Sequence, residues 1–325
     1  MFLTGEGPLE MDATQTTASE TLARRTSPPR RGEARPFFWE NILALVGVHA
    51  GAVVAVAYAL DGRAAPQSIA LGAAWFALCM LSTTAGYHRL FAHRSYKASA
   101  GLRMFYLLFG AASGQGPILV WASDHRTHHV RTDTDDDPHN IRRGFWWAHV
   151  GWLLYRSPPP DLRNVRDLRE DRWVLAQRRF YVPLLVGMGF GLPTLIAASW
   201  GDPVGGLLMA GFLRLAVQYQ ATFCINSVAH RFGRRPYSKA SSARDSALAA
   251  ILTFGEGYHN YHHRFPADYR NGVRAHHFDP TKWWIWTAWK AGLASNLRRV
   301  PTHVIRRVRE ENQAEGETPE PRAGS

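Results

Sequence analysis

An all-α integral membrane protein with four transmembrane helices is what this sequence predicts, on two observations. Four apolar runs, each near the roughly 20 residues a helix needs to cross a bilayer, fall in two closely spaced pairs. Between and after the pairs lie long basic segments that hold most of the 15 histidines. The averages conceal this pattern. Charged residues make up 20% of the 325 and mean hydropathy is −0.23, because very polar segments alternate with apolar ones.

In chain order, residues 1–35 are polar, with Arg24, Arg25, Arg30, Arg31 and Arg35 near their end and no apolar stretch before them. They read as a disordered basic arm and not as a secretory signal. The first span is expected over 40–60. Asp61-Gly62-Arg63-Ala64-Ala65 closes a tight turn, and Pro66 opens the second span, 66–86. The third, 180–200, contains Pro183 and Pro193, which membrane helices tolerate. Asp202-Pro203 turns the chain into the fourth, 204–228. Residues 102–120 are largely apolar but are interrupted by Gly110, Gly114, Gln115, Gly116 and Pro117. They are expected to form an interfacial helix and not a fifth crossing, which would divide the histidines between the two sides. Residues 301–325 are a polar tail, expected to be disordered after Glu310.

Lys and Arg set the orientation. The arm, the segment from His88 to Arg179 and everything after His230 are basic, whereas the two short turns carry only Arg63. Both termini and the histidine segments are therefore expected on the cytoplasmic side. The formal charge of +12 suits an anionic membrane surface. Nucleic acid is not expected, since no zinc-finger spacing or RNP-type aromatic run is present. Cys79 and Cys224 sit inside apolar runs, which excludes a disulfide scaffold, a Cys-ligated cluster and a CxxCH haem.

Four histidine groups stand out: His88 and His93; His125, His128 and His129; His230, with Asn226 one helical turn before it; and His259, His262 and His263. In an HxxHH run on a helix, the three rings share one side. His88 and His93 are five apart, about 140° on a straight α-helix, so they are expected to serve different metals or to straddle a helix end. Imidazole suits iron, copper and zinc, and nine rings at one membrane face imply two metal ions. His49, His139, His149, His276, His277 and His303 stand alone and read as surface or satisfied core residues. No HExxH is present. Glu256-Gly-Tyr-His259 shows the Glu-x-x-His spacing of soluble di-iron bundles once, without the remaining carboxylates.

Gly86-Tyr-His-Arg-Leu-Phe-Ala-His-Arg-Ser-Tyr-Lys97, Asp124-His-Arg-Thr-His-His129, Thr134-Asp-Asp-Asp-Pro-His-Asn140, Asn226-Ser-Val-Ala-His230 and Gly255-Glu-Gly-Tyr-His-Asn-Tyr-His-His263 resemble, in order, the motifs of the membrane acyl-CoA desaturases of the stearoyl-CoA type. The resemblance covers a domain of about residues 36–300. It implies four transmembrane helices under a cytoplasmic helical cap that holds two iron ions. The implied ligands are His88, His93, His125, His128, His129, His230, His259, His262 and His263, with Asn226 acting through a water. The implied reaction is O2-dependent desaturation of a long acyl chain, most often at carbon 9. Gln115, Trp121, Thr222 and Phe223 would line a bent substrate tunnel, and Arg126 and Arg156 would meet the acyl head group.

Alkyl C–H bonds are neither acidic nor polar, so a redox metal suits this chemistry where a general base would not. The position of attack must come from holding the chain in register. Three positions where animal members carry basic residues read Ser123, Val130 and Ser157, and this widens the expected substrate from acyl-CoA to acyl-lipid. Asn164-Val-Arg-Asp167 is closer to bacterial members, which points to a bacterial plasma membrane. The chain has no haem-binding motif, cysteine cluster or nucleotide fingerprint, so electrons are expected from a ferredoxin or a cytochrome-b5-like protein with its reductase. Two alternatives share the metals: a histidine-rich hydroxylase or alkane monooxygenase, and a non-redox metal-binding membrane protein. Arg214 lies mid-span, where a charge costs roughly 2.5–3.5 kcal/mol. With Gln218 one turn on, it is expected to face the protein interior.

Overall fold

The structure, a computed structural model, describes residues 35–157 and 159–317. Of the basic arm only Arg35 is among them. Four helices are long and apolar enough to cross a membrane: Trp39–Leu60, Pro66–Ala92, Tyr181–Ala198 and Pro203–Arg231. The first and third spans are outer helices, and side chains such as Leu43, Val53 and Leu195 point away from the protein. Outward-facing apolar residues along a helix with no internal polar gaps match a hydrocarbon surround. The second and fourth are inner helices, with half of their apolar window buried against 17% for the outer two. Small residues bring them together: a Cβ on Gly72 would lie 3.0 Å from the carbonyl oxygen of Met209.

The two short turns meet at one end of the bundle. Asp202 caps the start of the fourth span through the Gly205 N–H. It also accepts from the Tyr58 hydroxyl at 2.9 Å, the Ala65 N–H at 2.9 Å and the Ser68 hydroxyl at 2.7 Å. Every histidine-bearing segment therefore emerges at the opposite end, as the hairpin pattern predicts.

The second span runs further than expected. From Ser82 to Ala92 it widens into a π-helix, and the His93 N–H bonds to the His88 carbonyl five residues back at 3.0 Å. In that geometry residues five apart come to the same side. Of the two expectations for His88 and His93, straddling a helix end holds, since His93 is the cap after Ala92; serving different metals does not, because the straight α-helix behind that reading is absent here. The interfacial helix expected over 102–120 is two helices, Ala100–Ala112 and Ile118–Arg131. Gly114 and Gly116 take positive φ between them, and Pro117 starts the second. Neither is long enough to cross a bilayer.

Arg214 points inward. Its guanidinium donates to the carbonyls of Ala210, Ala112 and Gly189 at 2.8, 2.8 and 2.9 Å. The charge thus pins the end of Ala100–Ala112 between the third and fourth spans. The tail also departs from expectation, since Thr302–Glu317 is helical. Val304, Ile305 and Val308 share one face and pack on Tyr237, Tyr261 and Phe265, and Asn312 donates to the Arg235 carbonyl. That apolar spacing lies inside a strongly charged stretch, which is why composition conceals it.

Candidate metal centre

Ile118–Arg131 and His259–Arg264 carry the two HxxHH groups, and each helix divides its rings between two sets. His88, His93, His125, His129 and His262 form one set. His128, His230, His259 and His263 form the other. Within each, the ligand nitrogens lie within 4.8 Å of one another. The expectation that each HxxHH aims all three rings at one side is corrected here. Residues i and i+4 stay together, while the neighbour of i+4 is rotated by about 100° and faces the other set. Both helices therefore lie between the sets, and the stacked rings of His129 and His263, 4.3 Å apart, join them.

The polar contacts fix how the rings are protonated. His88 holds Nδ1 2.8 Å from a Glu256 carboxylate oxygen, and His128 holds Nδ1 2.8 Å from Asp137. His230 holds Nδ1 2.7 Å from the Ser242 hydroxyl. A carboxylate can only accept, so Nδ1 carries the proton in His128, and its Nε2 presents a lone pair. Yet the Nε2 atoms face each other: His88 to His262 at 2.9 Å, His262 to His129 at 2.9 Å, and His128 to His263 at 3.3 Å. His262 Nε2 faces two other ring nitrogens, and a neutral imidazole nitrogen can donate or accept only one good hydrogen bond, so these contacts cannot all be satisfied by protons. This donor set, five and four imidazoles with converging Nε2 atoms, fits two transition-metal ions.

Burial first, and then the neighbouring imidazoles, push His93, His125, His129, His262 and His263 well below the ordinary histidine value. His259 is pushed down to about 3 for the same reasons. All are neutral near pH 7, the form that binds metal. Burial alone would raise the Glu256 carboxyl, but its contacts with His88 and the buried Arg89 guanidinium outweigh that and lower it.

Asn226 lies one turn before His230 on the fourth span. Gln115, Trp121 and Thr222 are linked: Gln115 donates to the Thr222 hydroxyl at 2.9 Å and accepts from the Trp121 indole at 3.2 Å. Trp121 stacks on His125, centroids 4.9 Å apart. Phe223 packs apart from them, on Tyr219 and the edge of His149.

Arg126, expected at the head group, uses all five N–H donors on Asp167 and the carbonyls of Phe91, Ala92 and Asn164. It ties the first two histidine groups together and leaves no donor for a ligand. Arg156 pairs with Glu40 at the exposed start of the first span.

His139 also departs from the reading of a lone histidine. Its ring is 4.9 Å from His128, and its Nδ1 is 3.5 Å from Asp137. His149 and His49 are satisfied through Gln220, and His277 stacks on Tyr258.

Sequence reasoning missed the residues behind the rings, namely Glu256, Asp137, Asp133 and Ser242. Two left a signal: Glu256 in its Glu-x-x-His spacing to His259, and Asp137 inside the Thr134–Asn140 motif. The ring Glu256 holds is His88, 168 positions earlier in the chain.

Comparison with known proteins places these residues in context. The family model described as fatty acid desaturase matches residues 64–296. The "Probable acyl-CoA desaturase" of Schizosaccharomyces pombe is 45% identical over 236 residues, 72% of this chain and 49% of that protein. "Acyl-CoA desaturase 1" of Saccharomyces cerevisiae is 45% identical over 235 residues, 71% of this chain and 46% of that protein. The chain thus spans about half the length of these two relatives. "Stearoyl-CoA desaturase" of Sus scrofa is 38% identical over 276 residues, 83% of this chain and 76% of that protein.

Proposed function

The chain belongs to the fatty acid desaturase family, and from that premise we propose that it desaturates a long-chain fatty acyl substrate with O2. Two hydrogens leave adjacent methylenes, at carbons 9 and 10. The two electrons from that C–C unit and two from an external ferredoxin or cytochrome-b5-like donor, with two protons from solvent, reduce O2 to two waters. The observation that carries the reading is the pair of imidazole sets, in each of which the ligand nitrogens converge within 4.8 Å of one another. Two irons held there would supply the oxidising power that an unactivated C–H bond demands.

The nine histidines named above would hold the irons, and Asn226 would reach the second through a water. Gln115, Trp121 and Thr222 form a wall against His125 that would keep the acyl chain in register beside the metals. The relatives' names support acyl-CoA as the substrate class, and an acyl-lipid is the other outcome of the test. The excess of Lys and Arg on the histidine-bearing side supports a cytoplasmic site in a multi-pass membrane protein.

The test is expression in a host that lacks its own desaturase, followed by mass spectrometry of each lipid pool. A product two mass units lighter, with the double bond at carbon 9, is expected, and His128→Ala should abolish it. A gain of sixteen mass units would mean hydroxylation. An unchanged profile from protein that binds metal would mean a non-redox role.

A further inference from the structure

The two imidazole sets are backed by different chemistry. In the five-histidine set the carboxylate behind His88 is Glu256, and its other oxygen accepts from Arg89 at 3.0 Å. Arg89 is fully buried and also bonds both oxygens of Asp279. The charge behind this set is therefore tied to a guanidinium. In the four-histidine set His128 rests on Asp137. Among the described residues Asp137 meets only His128, the His139 ring and N–H, and the Asp133 N–H. His230 rests on Ser242, whose hydroxyl and N–H both go to Asp133 at 2.5 and 2.7 Å.

Asp133 itself is buried and holds φ of +66°, a conformation rare outside glycine that persists only where surroundings over-determine it. The surroundings here are its N–H to Asp137 and its carboxylate on Ser242. Two Asp carboxylates, joined through the Asp133 backbone N–H and bonded to no Arg or Lys among the described residues, thus stand behind the set with fewer rings.

We propose that Asp133 is a positioning residue of the four-histidine half: acting through Ser242 it fixes the tautomer and orientation of His230, and with Asp137 it makes that half the more electron-rich of the two. Asp133 accepts from the Ser242 hydroxyl at one oxygen and from its N–H at the other, so the hydroxyl oxygen is free to accept from His230 Nδ1–H. His230 Nε2 is thereby left as a lone pair aimed at its set, 3.1 Å from His259 Nε2. A carboxylate behind a ligating ring raises its basicity and holds its orientation, and losing such a partner costs 10–100-fold in metal affinity. The inference rests on the metal-centre reading above.

The test is anaerobic titration of the metal-free, detergent-solubilised full chain with Co2+, following bound metal per chain and the visible Co2+ bands. The wild type should bind two ions. Asp133→Asn keeps the shape and tolerates positive φ, and it should weaken one of the two by 10–100-fold while leaving the other unchanged. Ser242→Ala should do the same, and Ser242→Thr, which keeps the hydroxyl, should restore wild-type binding. Glu256→Gln should weaken the other ion. An Asp133→Asn isotherm and spectrum identical to wild type, or an equal loss at both ions, overturns the inference and leaves the metal centre standing. A wild-type chain that binds no metal overturns both.

Discussion

His88 and His262 bring their Nε2 atoms to 2.9 Å while the Glu256 carboxylate stands 2.8 Å from Nδ1 on the far side of the His88 ring. Without a cation these crowded nitrogens cannot all be hydrogen-bonded, because His262 Nε2 also faces His129 Nε2 at 2.9 Å. Metal binding should therefore stabilise the fold outright. Loading with a transition metal at 100 times its dissociation constant adds about 2.7 kcal/mol. The melting temperature in detergent should fall on chelation and recover on reloading. An unchanged melting temperature would show that the rings are held by protein contacts alone.

Asp202→Ala removes four hydrogen bonds at once, to Tyr58, Ala65, Ser68 and Gly205. With a helix cap at ~1 kcal/mol and each of the three further bonds at roughly 0.5–1.5 kcal/mol, the loss should be about 2.5–5.5 kcal/mol. Denaturant unfolding in micelles would measure it. Metal content of the folded fraction should be unaffected, because the turns lie at the end away from the histidines.

Asp245 gives a pH signature. Burial pushes its carboxyl up to about 7, against the opposing backbone N–H donors of Tyr261 and Asn260. The fold favours the neutral form. The stability it contributes is complete below about pH 4, the ordinary Asp value, and is lost as pH rises through about 7. The Asp245 contribution to the wild-type melting temperature should fall as pH rises from about 4 to about 7 and level off above that. Asp245→Asn, which keeps an acceptor for the Tyr261 N–H, should flatten that slope.

Thr222→Val breaks the bond that holds Gln115 against the fourth span and frees Gln115 from its place beside Trp121. The shape of that wall should change while the histidines stay in place. Product analysis should show an altered chain-length preference or a shifted double bond at unchanged metal content. An identical product distribution would remove this wall from the register-setting surface.

The spans and histidine groups are legible because their signals are local: about 20 apolar residues in a row, or rings at i, i+3 and i+4. Their division into sets is not legible, because it depends on the angle between consecutive side chains and on which helix lies between. The π-turn from Ser82 to Ala92 is hidden for a related reason, since a widened helix has no composition of its own. The residues behind the rings lie furthest from view. Asp133 reaches Ser242 across 109 positions, and His88 reaches Glu256 across 168. The helical tail was hidden by charge, and only Val304, Ile305 and Val308 betray the face that docks.

The Asp202 knot has a mechanical corollary. It binds the closed ends of both hairpins to one carboxylate, so the four long helices are pinned like the leaves of a fan at its rivet. Splaying of the helices about that point would be smallest beside Asp202 and widest at the far rim, where the imidazoles gather.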